Sequence, residues 1–173
     1  MFEGDGVIVQ YAYIVENLDK AIEHWTTEVG AGPFFVKKHL NDLDFKYRGK
    51  KSTLDMSFAL GQAGAIQIEL IQVHSENPTI YTDMFPKGSG GGFHHVAMFS
   101  KDFDAAVRTY EQKGFEAAMQ GIFGTTPFAY MDTRSALGFM VELYPPSRQL
   151  LDLYKMVADA SIGWDRIKKT RPM

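Results

Sequence analysis

The 173-residue chain contains no cysteine. Disulfide bonds and thiolate metal sites are therefore excluded, so any metal ion must be held by His, Asp, Glu, Gln or Asn. The chain also lacks an apolar run of the roughly 18–20 residues that a membrane-spanning helix needs. Its first residues, 1–6, are polar and acidic and do not resemble a signal peptide. These absences predict a cytoplasmic protein.

The chain has no large excess of either charge. It carries 18 Lys and Arg against 21 Asp and Glu, and the basic residues are scattered along the sequence. A nucleic-acid-binding protein normally concentrates its basic residues in a stripe or patch, so nucleic acid is not expected as a partner. Aromatic residues make up 13% of the chain, which fits either a large core or an apolar pocket for a small molecule.

Two segments of the sequence match each other. Residues 10–21 and residues 95–106 each read as an apolar strand, a short polar turn, an Asp and an amphipathic helix. A second pair, residues 66–70 and 138–143, matches in the same order. Two matching pairs in one order indicate an internal duplication.

Alternation of apolar and polar residues predicts the secondary structure. Strands are expected near residues 7–15, 34–39, 53–60, 65–73, 94–99, 115–119, 127–132 and 138–144. Helices are expected near residues 19–29 and 103–113, with a final helix, capped by Ser147, from Arg148 to about Ser161.

These elements predict an α+β fold in which tandem βαβββ modules form a curved, half-open mixed sheet around one cavity. The predicted organisation is a first module (1–75), a linker (76–92), a second module (93–146), and a C-terminal helix and tail (147–173). A half-open sheet leaves edge strands that invite pairing, and a homodimer is therefore expected.

Successive strand residues point to opposite faces, which assigns side chains to the cavity or to the helices. In residues 53–60 the larger apolar side chains are assigned to the helix face, and Asp55 is thereby assigned to the cavity. In residues 94–99 the same reasoning assigns His95 to the cavity and His94 to the other face. The polar side chains predicted to line the concave face are Gln10, Asp55, Gln67, Glu69, His95 and Glu142.

A single Glu or His on a strand is usually solvated or satisfied by a neighbour. Here, however, Gln10 and His95 occupy the same position of the repeat, and so do Glu69 and Glu142. Four polar side chains related by a pseudo-twofold axis would converge on one place, which suits a hard or borderline cation with open coordination positions.

These segments resemble the vicinal oxygen chelate superfamily, which includes glyoxalase I, methylmalonyl-CoA epimerase, extradiol dioxygenases and bleomycin-resistance proteins. The resemblance extends over most of the chain up to Pro146. It is carried by Gln10 before Tyr-Ala, by Leu18-Asp19-Lys20-Ala21, Ile68-Glu69-Leu70, Gly92-Phe93-His94-His95-Val96-Ala97 and Val141-Glu142-Leu143. It implies that Gln10, Glu69, His95 and Glu142 bind one divalent metal ion: Zn, Co, Ni, Mn or Fe(II). It also supports a homodimer.

The ligand set discriminates among members of the superfamily. Gln, Glu, His and Glu is similar to eukaryotic glyoxalase I, whereas epimerases commonly have His at the first position and Gln at the second. By the same resemblance, Asp55 occupies the position at which epimerases carry a second carboxylate base. A single histidine argues against the two-histidine iron site of extradiol dioxygenases, and bleomycin-resistance proteins lack the metal.

The resemblance implies a metal-dependent isomerase, epimerase or lyase that is glyoxalase I-like or acyl-CoA epimerase-like. Such enzymes abstract a proton next to a carbonyl, and the metal stabilises the resulting enolate. Glu142 is the predicted base and Asp55 the opposite acid. Arg134 is interpreted as a solvated turn residue, or else as a ligand for a carboxylate or phosphate. The alternative function is a non-catalytic binding protein for an aromatic or drug-like small molecule on the same fold.

Overall fold

The protein is described from a computed structural model that covers residues 6–173, so the first five residues of the predicted first module lie outside the described part. The strands are β1 (Ile8–Ile14), β2 (Phe34–Leu40), β3 (Asp44–Tyr47), β4 (Lys50–Lys51), β5 (Met56–Ala63), β6 (Ile66–Val73), β7 (Gly92–Phe99), β8 (Ala117–Phe123), β9 (Thr126–Met131), β10 (Met140–Tyr144) and β11 (Thr170–Pro172). The helices are α1 (Leu18–His24), which continues into a π-helical turn (Trp25–Val29), α2 (Ile80–Met84), α3 (Phe103–Gln112), α4 (Arg134–Leu137) and α5 (Arg148–Ser161). None of these helices is long and apolar enough to cross a membrane.

All the described strands belong to one sheet with the order β11-β2-β5-β6-β1-β7-β10-β9-β8-β3-β4. The two repeats meet at its centre, where β1 pairs antiparallel with β7. Outward from this pair, the order β6, β5, β2 on one side mirrors the order β10, β9, β8 on the other. The predicted α+β fold with a curved, open sheet and a C-terminal helix is confirmed. The exact module boundaries remain a prediction.

Helices α1, α3 and α5 begin where the sequence supplies a capping side chain. Asn17 accepts a hydrogen bond from the backbone N–H of Lys20 (2.9 Å), and Asp102 accepts one from Ala105 (2.9 Å). Ser147 does the same for α5, which spans the residues predicted for it. Each cap satisfies one of the backbone N–H groups that a helix leaves unpaired at its N-terminus, which explains why these boundaries were readable from the sequence.

Five short elements were not predicted: β3, β4, α2, α4 and β11. The outermost strands of the sheet are short, since β11 has three residues and β4 has only Lys50 and Lys51. Short and charged edges discourage strand pairing between molecules. The predicted homodimer was based on pairing between edge strands, but residues 6–173 contain no long edge strand that is free to pair.

The faces predicted for β5 are inverted. Met56, Phe58 and Leu60 lie toward the cavity, whereas Ala59 packs on the other face against Leu18 of α1. Both faces of this strand carry apolar residues, because one faces an apolar cavity and the other faces a helix. Alternation therefore shows which residues share a face without showing which face it is.

A cluster of charged side chains joins the turn after β3 to the ends of α2 and β9. Arg48 Nη2 donates to Asp83 Oδ2 (2.7 Å) and to Asp132 Oδ2 (3.0 Å). Arg134 donates to both oxygens of Asp132, at 2.7 Å each. The interpretation of Arg134 as a solvated turn residue is thus wrong, because its guanidinium forms a two-bond ion pair with Asp132.

The cluster predicts a loss of stability in acid. The hydrogen bonds from Arg134 lower the pKa of Asp132 to about 2 from its ordinary 3.8, against the opposing effect of burial and with help from Arg48. Since the folded-state pKa is the lower one, this contribution is present above pH 4 and is lost as the pH falls toward 2. We expect it to amount to about 2 kcal/mol.

Urea unfolding at pH 5 and at pH 2.5 would measure this contribution. The free energy of unfolding of the wild type should fall between these pH values by about 1.5 kcal/mol more than that of Asp132→Asn, which has no titrating group there, because Asp132 of the folded protein is still partly ionised at pH 2.5. Equal falls in the two proteins would contradict the assignment.

Candidate metal centre

Four adjacent strands at the centre of the sheet carry the predicted ligands. In the pairing register, Gln10 of β1 and Glu142 of β10 both lie opposite Ala97 of β7. In the next row, Glu69 of β6 and His95 of β7 both lie opposite Ala12 of β1. The four side chains therefore occupy two neighbouring rows of one face, and each row has a small alanine between its two polar residues.

His95 lies between the two carboxylates. Its Nε2 atom is 3.5 Å from Glu69 Oε2 and 3.4 Å from Glu142 Oε2. The His95 side chain is fully buried, and the side chains of Glu69 and Glu142 are only 13% and 11% exposed. Across residues 6–173, these three do not form a group whose ligand atoms all lie within 4.8 Å of one another. The carboxylates thus flank the imidazole on separate sides.

The electrostatics of this trio favour a cation. Burial alone would lower the pKa of His95, but Glu142 and Glu69 outweigh it and raise the pKa to about 9. Burial raises the pKa of Glu69, Glu142 raises it further, and His95 opposes both. In the absence of another cation, a proton on His95 offsets only part of the negative charge that the two carboxylates can carry.

Two atoms of the predicted ligand set have unused bonding capacity. Gln10 Oε1 and His95 Nε2 are buried and have no hydrogen-bond partner, since the contacts of His95 with the carboxylates are ion-pair contacts rather than aligned hydrogen bonds. A buried polar atom without a partner costs about 1–3 kcal/mol. One imidazole nitrogen with amide and carboxylate oxygens is a donor set that borderline and hard divalent cations accept. The residues present therefore fit a divalent metal.

Neighbouring side chains orient two of the candidate ligands. Gln10 donates from Nε2 to Gln67 Oε1 (2.7 Å), which leaves Gln10 Oε1 as its free ligand atom. His94 Nδ1 lies 2.9 Å from His95 Nδ1, and His94 Nε2 lies 3.0 Å from the carbonyl oxygen of Ile80. With His94 donating to Ile80, its Nδ1 accepts the proton of His95 Nδ1, and His95 Nε2 faces the carboxylates.

The position of His94 differs from the prediction. The register of β7 against β1 shifts between His95 and Phe93, and this bulge brings His94 to the cavity side beside His95. Burial and the charge of His95 lower the pKa of His94 to about 3, so His94 is neutral. Its partner Ile80 and the neighbouring Tyr81 belong to α2, in the segment predicted to be a linker. Thr79, which accepts a hydrogen bond from the N–H of Thr82, was the signal in the sequence that could have revealed this helix, because Thr is a favoured N-cap residue.

Gln10, Glu69 and Glu142 border a cavity of about 90 Å³ with a mostly apolar lining, and His95 lies buried between the two carboxylates. Leu150, Leu153 and Tyr154 of α5 close one side of it, and the hydroxyls of Tyr154 and Tyr144 are hydrogen-bonded to each other. The sequence predicted that α5 packs on the body, but it did not assign the helix to the cavity. The remaining lining is formed by Gln67 and Thr126 and by Leu40, Leu43, Met56, Phe58, Leu60, Tyr81, Met119, Phe123, Phe128 and Tyr130.

Asp55 does not line this cavity. It immediately precedes β5, and both of its carboxylate oxygens lie 3.0 Å from Nδ1 of His39. The predicted placement of Asp55 on the cavity face is wrong for the reason that applies to the whole strand: the residues of β5 that face the cavity are Met56, Phe58 and Leu60. The structure thus brings the four candidate ligands and Gln67 close to one another. Asp55 lies outside the cavity.

The alanines between the ligands give a direct test of the space that a cation needs. Ala97 is fully buried, so Ala97→Leu should weaken metal binding at least about tenfold, because overpacking a tight site costs about 1–3 kcal/mol. Ala129→Leu is the matched control, since Ala129 is equally buried but packs in the cluster on the opposite side of the sheet. Titration calorimetry with Zn²⁺ would compare the two. Equal affinity in both variants would show that the space above Ala97 is not used.

Comparisons with known proteins agree with this fold. The sequence model of the glyoxalase/bleomycin resistance protein/dioxygenase superfamily matches residues 9–130. No curated protein matches the chain at a significant level.

Solved structures show similar folds at low sequence identity. A methylmalonyl-CoA epimerase from Mycobacterium tuberculosis aligns with a TM-score of 0.58 and 21% identity over 88% of this chain and 97% of its own. A hypothetical protein from Bacillus halodurans aligns with a TM-score of 0.55 and 16% identity over 83% and 96%. A methylmalonyl-CoA epimerase from Streptomyces coelicolor, in complex with 2-nitronate-propionyl-CoA, aligns with a TM-score of 0.54 and 15% identity over 84% and 97%.

The family match spans most of the chain, including three of the four candidate ligands, and the solved structures share the fold over nearly their whole length. The chain belongs to the glyoxalase/bleomycin resistance protein/dioxygenase superfamily, the vicinal oxygen chelate superfamily that its repeat resembles.

Proposed function

We propose that this protein is a metal-dependent isomerase, epimerase or lyase that removes a proton from a carbon next to a carbonyl group. The observation that carries the proposal is the buried His95 between Glu69 and Glu142, at the polar end of an otherwise apolar cavity. When bound, a divalent ion (Zn, Co, Ni, Mn or Fe(II)) would supply Lewis acidity toward the carbonyl oxygen, which makes the neighbouring C–H bond more acidic.

The protein's own residues would hold this ion and keep it oriented. The proposed ligands are Gln10, Glu69, His95 and Glu142. His94 fixes the tautomer of His95, and Gln67 fixes the amide of Gln10. Removal of a residue that orients a ligand in this way typically lowers metal affinity by a factor of about 10–100.

Glu142 is the proposed base. It borders the cavity, so its carboxylate can reach a carbon held there. The C–H bond next to the carbonyl breaks, the proton passes to a carboxylate oxygen of Glu142, and the electron pair moves to the carbonyl oxygen. Return of this proton by Glu142 to a neighbouring atom would give an isomerisation.

Glu69 takes the place of Asp55 as the second carboxylate. It lies in the same cavity, on the other side of His95 from Glu142. Delivery of a proton from Glu69 to the opposite face of the same carbon would invert its configuration, which is an epimerisation. The catalytic role predicted for Asp55 has no support in this geometry.

The shape of the cavity suggests the class of substrate. Its small volume and apolar lining suit a short acyl chain with one polar end, such as the acyl part of a thioester or a 2-oxo acid. The two aligned epimerases are described as acting on methylmalonyl-CoA or binding 2-nitronate-propionyl-CoA. We therefore propose an acyl-CoA or 2-oxo acid substrate, with any CoA portion lying outside the cavity.

Proton exchange in heavy water tests the proposal. Metal-loaded protein would be incubated with a panel of acyl-CoA and 2-oxo compounds, and deuterium incorporation would be followed by mass spectrometry. We expect exchange into at least one compound, its loss after dialysis against a chelator, and its return on addition of metal. Absence of exchange over the whole panel with metal-loaded protein would contradict the proposed reaction.

The runner-up is a non-catalytic protein that sequesters an aromatic or drug-like molecule, and the apolar cavity closed by α5 favours it. Metal content separates the two functions. If the cavity is a metal site, protein purified without added metal should carry roughly one ion more than His95→Ala by elemental analysis. If the wild type and His95→Ala contained equal amounts of metal, and the wild type gained none on reconstitution, the non-catalytic binding protein would be favoured.

We also propose that the protein is a homodimer. Its basis is the association expected for this superfamily, since the short edge strands give it no support. Multi-angle light scattering at micromolar concentration would test it, and a strictly monomeric mass would contradict it.

A further inference from the structure

We infer that His39, Asp55 and His74 form a second site for a borderline divalent cation such as Zn²⁺, separate from the cavity. Nothing in the proposed reaction uses these residues. Within the described part of the chain, they are the one group of three histidine or acidic side chains whose potential metal-ligand atoms all lie within 4.8 Å of one another.

The sheet topology brings the three residues together. β5 runs antiparallel to both β2 and β6. The C-terminal end of β2, the N-terminal end of β5 and the C-terminal end of β6 therefore lie side by side. Leu40, Met56 and Val73 are register partners across these strands. His39, Asp55 and His74 each adjoin one of these partners, and the N–H of His74 donates to the carbonyl of Asp55 (2.8 Å).

The spacing of the donor atoms suits a metal. Nδ1 of His39 is 3.0 Å from each carboxylate oxygen of Asp55, and the rings of His39 and His74 stack with centroids 4.5 Å apart. Metal–ligand bonds of about 2.0–2.2 Å place neighbouring ligand atoms about 3 Å apart. Two imidazoles and one carboxylate form a donor set suited to Zn²⁺, Cu²⁺ or Ni²⁺.

A single hydroxyl contacts the backbone of His39 and the imidazole of His74. Ser57 Oγ accepts the backbone N–H of His39 (3.1 Å) and lies 2.8 Å from Nε2 of His74. His39 adopts a left-handed backbone conformation (φ 49°), which is uncommon for a residue with a side chain. The contact with Asp55 involves the ring of His39 only, whereas a shared cation would bind both rings.

The site is open to solvent and touches the wall of the cavity. The side chains of His39 and Asp55 are 61% and 36% exposed, so a hydrated cation can enter and keep some of its water. Leu40 and Met56, the neighbours of His39 and Asp55, line the cavity. A cation here would link β2, β5 and β6 and stabilise that side of the cavity. We therefore expect Zn²⁺ bound at this site to raise the melting temperature of the protein.

Calorimetric titration with Zn²⁺ alone, on metal-stripped protein without an affinity tag, tests the inference. The double variant His39→Ala/His74→Ala should bind one ion fewer than the wild type and should lose part of the rise in melting temperature. Asp55→Asn should weaken this site at least about tenfold, because even loss of a residue that only orients a metal ligand typically costs about 10–100-fold in affinity. The control is His24→Ala, since His24 is an exposed histidine at the end of α1, and it should bind like the wild type.

The result that overturns the inference is a double variant that binds as many ions, with the same affinities, as the wild type. The outcome is independent of the cavity. If the cavity binds no metal, the wild type still binds one ion and the double variant binds none. If the cavity does bind metal, the double variant keeps that ion and its proton exchange, whereas His95→Ala keeps only the outer ion.

Discussion

Glu142→Gln is expected to slow proton exchange by about a thousandfold while most of the bound metal is retained. An amide oxygen can still act as a metal ligand, but it cannot accept the substrate proton. Loss of one acid–base catalyst typically costs 10²–10⁴-fold in rate. Exchange would be followed by mass spectrometry, and metal content would be measured on the same sample by elemental analysis.

Glu111→Gln is the matched control for this experiment, because Glu111 is an exposed glutamate on α3. It should exchange at the wild-type rate. If Glu142→Gln retained its metal and also exchanged at the wild-type rate, Glu142 would not be the base. A loss of both metal and rate would make Glu142 chiefly a ligand, and the base would have to be sought at Glu69.

His95→Ala is expected to lose the cavity metal altogether at micromolar protein, with a fall in affinity of more than about a hundredfold. That fall should exceed the 10–100-fold typical for loss of a residue that only orients a ligand. His95 supplies the nitrogen donor of the set, and borderline cations favour imidazole. Its removal also leaves Glu69 and Glu142 facing each other in a buried site without the cation between them.

A titration with Zn²⁺ in the His39→Ala/His74→Ala background would isolate this effect from the outer site. Circular dichroism would verify the fold, because His95 is fully buried. His95→Gln, which keeps a neutral donor of similar length, should recover part of the affinity. Undiminished binding by a folded His95→Ala protein would exclude the cavity as the metal centre.

Asp55 shows how one residue changes role between sequence and structure. The sequence placed it opposite Glu142 as a second acid, so Asp55→Asn would have slowed the reaction. With Asp55 outside the cavity, we expect this variant to exchange at the wild-type rate and to bind less Zn²⁺ at the outer site. This one substitution therefore distinguishes the two proposed metal sites.

The fold and the four candidate ligands could be predicted from the order of residues along the chain alone. The repeat relates Gln10 to His95 and Glu69 to Glu142, and this equivalence depends only on the order of residues along the chain. Alternation within a regular strand then fixes which neighbours share a face. The helix boundaries were equally local, because capping residues such as Ser147 bond to a backbone group only three residues away.

The remaining features of the site depend on how distant parts of the chain pack together. β5 has apolar residues on both faces, so its alternation could not show that Met56 faces the cavity and Asp55 does not. The bulge beside His94 shifts the register by one residue, and it depends on pairing with β1 rather than on the local sequence. Tyr81 of α2 and Tyr154 of α5 reach the cavity because distant segments pack together there. These positions are set by long-range packing and pairing energies, which no short sequence window contains.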